Sequence, residues 1–230
     1  MTTPGVDLGA HRQLKDAVYL QLRDDIISGA LPTGAVLREV ELAARFGVSK
    51  TPLRDALVRL HKDGFVDIPP YRSAVVTGYS EADLREIYEL RELLEGSCAR
   101  QAAVHISDDE LTGLARIVEA SAACVSGGEV IPGTEEELAM LIHHFDLVLY
   151  AQSRNSRINE IVGNIRGHVQ RIGRLTTGIP GRLAKSVAEH QAIYEAIARR
   201  DASAAESLMR EHIGSVRADQ LASMAGVAAP

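Results

Sequence analysis

The stretch Leu37-Arg38-Glu39-Val40-Glu41-Leu42-Ala43-Ala44-Arg45-Phe46-Gly47-Val48-Ser49-Lys50-Thr51-Pro52-Leu53-Arg54-Asp55-Ala56-Leu57-Val58-Arg59-Leu60-His61-Lys62-Asp63-Gly64 decides the fold. It holds two helical patterns separated at Gly47. The first is short, over residues 39–46. The second opens with Ser49 as N-cap and carries Pro52 in its first turn, where a missing N–H costs nothing. Leu53, Ala56, Leu57 and Leu60 recur at helical spacing and form its apolar face. Ser49, Lys50, Thr51 and Arg54 crowd its start. They are short polar and basic groups of the kind that meet phosphates and base edges in a major groove.

Upstream, Leu14, Val18, Leu22, Ile26 and Ile27 predict another helix, ended by Gly29, and Leu31-Pro32-Thr33-Gly34 reads as a turn. Downstream, Phe65-Val66-Asp67-Ile68 and Ala74-Val75-Val76 are two short β runs around a polar tip, a hairpin or wing. Three helices and a β-hairpin make a winged helix-turn-helix. Arg38 opens its second helix and Arg72 sits at the wing tip, suited to a phosphate and to the minor groove. Residues 38–62 hold six basic and three acidic side chains. Ordinary surface charge is the competing reading of one such face.

The whole chain has 230 residues, 46% hydrophobic and 24% charged, with net charge −6. That is one large domain or two small ones with a real core. The negative total excludes binding of polyanions by bulk charge. The charge is +1 over residues 1–78 and −7 over 79–230, which together give −6. Aromatics are few, with three Phe, six Tyr and no Trp. Cys98 and Cys124 form no CxxC or CxxH pattern, against a disulfide scaffold or zinc finger. No apolar run spans a bilayer and no secretory leader opens the chain, so a cytoplasmic protein without a membrane partner is expected.

The second part predicts helices near 81–104, 108–125, 135–152, 156–177, 182–199 and 203–222, with no strand. Ser/Thr three residues before an acid marks several starts: Ser80, Ser107, Thr134 and Ser203. The expected fold is therefore mainly α, a winged helix-turn-helix followed by an all-α antiparallel bundle. Its expected parts are a flexible 1–11, a DNA-binding domain over 12–78, a helical domain over 79–222 and a frayed tail over 223–230.

His190 and His212 lie equally far on either side of Asp201, where the helix pattern breaks. In an antiparallel pair, such residues share one height, so the imidazoles can face each other. Asp146 stands on the otherwise apolar run Leu141–Leu149, where a bare carboxylate is costly. It needs a cation or an arginine. Two imidazoles and a carboxylate suit Zn²⁺, Ni²⁺ or Mn²⁺. Arg91 shares a helix with Leu84, Ile87, Leu90 and Leu94. It can turn inward to grip an effector carboxylate or pair with Glu95 one turn on. Arg171 is a second candidate grip.

The first stretch resembles the DNA-binding domain of the GntR superfamily of bacterial repressors nearly position for position. Lys50 stands where Arg is usual and Ser73 where the wing usually has Gly. Residues 83–95, 145–155, 189–197 and 209–213 resemble motifs of the FadR subfamily, whose ligand-binding domain is of the FCD type. The resemblance implies sequence-specific operator DNA as partner, a homodimer, a bound small organic acid and, in many such domains, a divalent metal on one Asp and three His. It adds Asn155 to the effector set. His190 and His212 match two ligands. Ile142 occupies the usual Asp position and cannot ligate, and Asp146 occupies a His position. His143, three residues before Asp146, is close enough to substitute.

The leading expectation is a ligand-responsive DNA-binding regulator, not an enzyme. A regulator that senses the ion itself is the alternative. A metal-dependent hydrolase fused to a DNA anchor is a third class, but HExxH and GxSxG are absent.

Overall fold

The computed structural model describes residues 8–227. The chain divides after Gly78 into two units. The first runs α1 (Leu8–Ser28), β1 (Val36–Leu37), α2 (Glu39–Phe46), α3 (Lys50–Lys62), β2 (Val66–Asp67) and β3 (Ala74–Val76). Helices α1 and α2 both pack on α3. Val18, Leu22 and Ile26 of α1 meet Leu53, Leu57 and Leu60 of α3, with Phe65 below. Each such buried side chain stabilises by about 1.5–3 kcal/mol. Gly47 ends α2 with φ 64°, a left-handed cap that sends its N–H back to Ala43 and Ala44 carbonyls.

The wing has three strands, not two. β3 pairs antiparallel with β2 (Val66↔Val76) and with β1 (Leu37↔Ala74). Strand β1 is two residues long, too short to show alternation in a sequence. Helix α1 starts at Leu8, inside the segment 1–11 expected to be flexible; the rest of that segment, 1–7, lies outside the described residues.

The second unit runs α4 (Glu81–His105), α5 (Asp108–Ala123), β4 (Val125–Ser126), β5 (Glu129–Val130), α6 (Glu135–Ala151), α7 (Ser156–Thr177), α8 (Arg182–Ala198) and α9 (Ala202–Val227). Helix α4 lies along α9, α8 packs on α9, and α5 packs on α6 and α8. Leu84, Tyr88, Leu114, Phe145, Ile193 and Ile213 join in one core. Capping boxes form at Ser80/Asp83 and Ser107/Glu110. Thr134 instead donates to the Ile131 carbonyl, and Asp201 rather than Ser203 caps α9 by accepting from Ala204 N–H.

One expectation for this unit fails. It contains a hairpin, β4–β5, with Val125↔Val130 in register. Gly127 and Gly128 both have positive φ, 62° and 84°, the conformation of a tight type I′ connection. The glycines read as a simple break because only two residues pair on each side. In the segment expected as a tail, α9 continues to Val227. Residues 228–230 of that segment lie outside the described residues. Among the described residues, no helix is long and apolar enough to cross a membrane.

Candidate DNA interface and buried ligand site

The start of α3 is amphipathic in the sense the sequence implied. Pro52 and Leu53 are buried, while Ser49, Lys50, Thr51 and Arg54 are exposed. Ser49 is the N-cap by backbone geometry, yet its hydroxyl makes no capping bond. Arg54 reaches across to α2, where its Nε donates to both carboxylate oxygens of Glu39 at 2.9 Å. Arg38 pairs with Glu41 at 3.0 Å and stays exposed. Arg72 is exposed in the wing loop.

The local excess of positive charge is partly spent inside the unit. Arg45 pairs with buried Asp25 at 2.7 Å, tying α2 to α1. Arg59 pairs with Asp16 at 3.1 Å and lies over the Tyr19 ring. Lys50 makes no ion pair among the described residues, so its charge stays open to a phosphate.

In the second unit, α8 and α9 bring His190 and His212 together, Nε2 to Nε2 at 3.3 Å, both buried. Phe145 of α6 stacks on the His190 ring at 4.1 Å. Glu189 accepts from Nδ1–H of His212 at 2.6 Å. That bond assigns the His212 tautomer: its Nε2 carries a lone pair and accepts from His190. Burial lowers the pKa of both rings, most strongly for His190, so both are neutral at pH 7. Burial alone would raise Glu189, but His212, Arg182 and Ser215 outweigh it and bring it down to about 2.

Arg91 and Glu95 meet in a buried pair at 2.6 Å. Arg91 thus both points inward and pairs along its helix, so the two sequence readings were not exclusive. Asp146 is buried on α6, and its Oδ1 has no hydrogen-bond partner among the described residues. Burial and then the Glu95 charge push its pKa up to about 8, against the pull of Arg91.

Two imidazoles fit a divalent ion. Tetrahedral ligands about 2.0–2.1 Å from zinc stand roughly 3.3 Å apart, the separation seen here. The third ligand is not assembled: among the described residues, no group of three or more His, Cys, Asp or Glu converges for an ion. Asp146 therefore lies apart from a complete ligand set. His143 does not substitute, because its Nε2 lies against the Gln170 amide of α7 at 3.0 Å. Ile142 packs with the apolar group of Leu138, Leu183 and Val187.

Of the remaining effector candidates, Arg171 is buried beside the Tyr79 ring. Asn155 is exposed and caps α7, accepting from Arg157 and Ile158 N–H, a role its place before a helix accounts for. Sequence reasoning missed Arg182, whose fully buried side chain binds Glu189, Asp219, Ser186 and Ser215. Its only signal was Glu189 seven residues on, the same helix face. Glu189 itself was visible only as the neighbour of His190.

An exposed polar helix start beside a β wing, joined to a helical unit with a polar interior, defines a DNA-binding transcriptional regulator. Residues 14–76 match the family described as bacterial regulatory proteins, gntR family, and residues 86–215 match the FCD domain. The chain belongs to the GntR family and carries an FCD domain. It is 30% identical to an HTH-type transcriptional regulator of Streptomyces ambofaciens over 86% of this chain and 81% of that protein. It is 24% identical to the HTH-type transcriptional repressor RspR of Escherichia coli over 92% and 90%. The solved structure of E. coli McbR/YncC has the same fold, with TM-score 0.71 and 21% identity over 92% of this chain and 98% of that one.

Proposed function

We propose that this chain is a bacterial, cytoplasmic repressor that binds a short pseudo-palindromic operator as a homodimer and joins the nucleoid when bound. A small organic acid in the FCD unit sets its operator affinity. The observation that carries the ligand reading is the facing pair His190 and His212, buried, neutral and oriented by Glu189. A divalent ion, Zn²⁺, Ni²⁺ or Mn²⁺, would be held by these two imidazoles, with Asp146 as third ligand once it loses its proton. The ion supplies a Lewis-acidic point for an acid to chelate.

The chain's own groups do the rest. Glu189 keeps the Nε2 lone pair of His212 directed at the site. Phe145 holds the His190 ring and excludes water. An effector carboxylate reaches Arg91 by exchanging with Glu95, whose geometry it mimics. Ligand acts only through different affinity for the two DNA-binding states. No turnover belongs to this reading.

The elemental content of the purified chain, prepared without added metal or affinity tag, tests the ion. Stoichiometric metal in the parent, lost in His190→Ala, supports it. Metal absent from both sinks it. The DNA reading fails if the protein does not prefer its own promoter over random duplex at moderate salt.

The engaged state of Arg91 favours a second reading, in which the ion itself is the signal. Chelation then moves operator affinity with no organic acid present.

A further inference from the structure

The wing tip holds a residue that nothing inside its own unit explains. Pro69-Pro70-Tyr71-Arg72 forms a turn closed by Arg72 N–H donating to the Pro69 carbonyl at 3.2 Å. Tyr71, its third residue, has φ +60°. That is left-handed backbone, which glycine adopts freely and a bulky aromatic rarely does. Its exposure is 107% of an extended reference, against 66% or less for every other exposed large apolar residue described. The unit's other tyrosine behaves oppositely: Tyr19 is buried, its hydroxyl donates to Asp63 at 2.7 Å and its ring lies under Arg59.

Backbone strain and an uncovered ring both work against the isolated fold. Strained residues of this kind cluster where a ligand is gripped. Strands β2 and β3 bury Val66, Ala74 and Val76, so the base of the hairpin is anchored while its tip is presented. Arg72, the next residue, is exposed and cationic. A phenol beside a guanidinium on a narrow projection matches a minor groove, with apolar deoxyribose walls, flanking phosphates and base acceptors on its floor.

We propose that Tyr71 is a specificity residue of the DNA interface. Its ring lies in the minor groove flanking the α3 site, and its hydroxyl donates to the N3 or O2 acceptors of A·T pairs. The exocyclic N2 amino group of a G·C pair blocks that position. The inference rests on the DNA-binding reading of this unit, and its test separates the two.

The full-length chain is used to enrich duplexes from a pool with a randomised central window. Parent, Tyr71→Gly and Lys50→Ala are then titrated on the enriched duplex and on versions with flanking A·T pairs changed to G·C or to inosine·C. Inosine lacks the N2 amino group, so its minor groove resembles that of A·T. The parent is expected to bind the A·T and inosine·C flanks alike and the G·C flank about tenfold more weakly. Tyr71→Gly is expected to bind about tenfold more weakly than the parent and to ignore the flank change, with a thermal midpoint equal to the parent's or higher, because glycine fits this φ. A Tyr71→Gly protein with the parent's affinity and flank preference overturns the inference about Tyr71. A parent that enriches no sequence overturns the DNA reading beneath it, and a Lys50→Ala protein that binds as the parent does removes Lys50 from the α3 contacts.

Discussion

His190 and His212 meet Nε2 to Nε2 at 3.3 Å because α8 and α9 form an antiparallel pair turning at Asp201, and Glu189 fixes the second ring through its Nδ1. Glu189 is held in turn by Arg182, fully buried at the start of α8. The four side chains form one continuous polar path inside the bundle. Glu189→Ala leaves the buried guanidinium short of one of its two carboxylate partners. We expect a loss of about 3 kcal/mol, read by urea unfolding. A loss below about 1 kcal/mol would mean that Asp219, Ser186 and Ser215 satisfy Arg182 without it.

His143 faces Gln170 and not the histidine pair. His143→Ala should leave metal content unchanged, whereas His212→Ala should remove it. Equal loss in both, measured on the same preparations, would return His143 to the ligand set.

Phe145 is 1% exposed and stacks on His190. Phe145→Ala opens a cavity and frees the ring, at about 3–5 kcal/mol. Chemical unfolding reads the stability. The leucine variant, which fills most of the volume, should recover the larger part.

Glu110 accepts Ser107 N–H and Ser107 Oγ–H in a capping box and also the Gln152 amide at 3.0 Å. The Ser107 backbone and hydroxyl bonds, then Gln152, lower its pKa from 4.5 to about 2. A carboxylate depressed in the fold contributes stability that is fully present above its unfolded pKa and is lost as pH falls through the folded one. The stability gap between parent and Glu110→Ala should therefore be constant above about pH 5 and close between about 4.5 and 2. Thermal melts across that range decide it; a gap that persists at pH 2 assigns the effect to packing.

Lys50 is exposed and outside any described ion pair. Lys50→Ala should weaken binding to specific and random duplex alike and reduce the salt slope by about one phosphate, near 0.9. Arg54→Ala should instead relax base preference. Titrations at three salt concentrations separate the two behaviours.

Much of this architecture was legible because it is written in local chemistry. The α3 face, Ser80/Asp83 and Ser107/Glu110 each act within one turn of chain, so spacing predicts them. The pairing of His190 with His212 was legible for a different reason: a helix hairpin maps equal distance from the turn onto equal height. The short elements were not. Strands β1, β4 and β5 have two residues each, and their stability comes from partners elsewhere rather than from their own pattern. Thr134 and Ser203 met the capping rule, yet the caps went to other bonds and to Asp201, because backbone geometry at the N-cap decides which oxygen can reach.

The class was readable along the chain: two units of opposite charge, a helix start shaped for DNA and a polar interior in a helical bundle. Periodicity and capping suffice for that, since both act over a few residues. Packing settled which of the partners on offer each buried group takes. Arg91 is held by Glu95, Arg182 by Glu189 and Asp219, and His143 by Gln170, while one oxygen of Asp146 has no hydrogen bond among the described residues. Arg91–Glu95 and Arg182–Glu189 lie within single helices, so spacing offers them, whereas Arg182–Asp219 and His143–Gln170 are chosen by distances of about 3 Å across helices, which no one-dimensional spacing encodes.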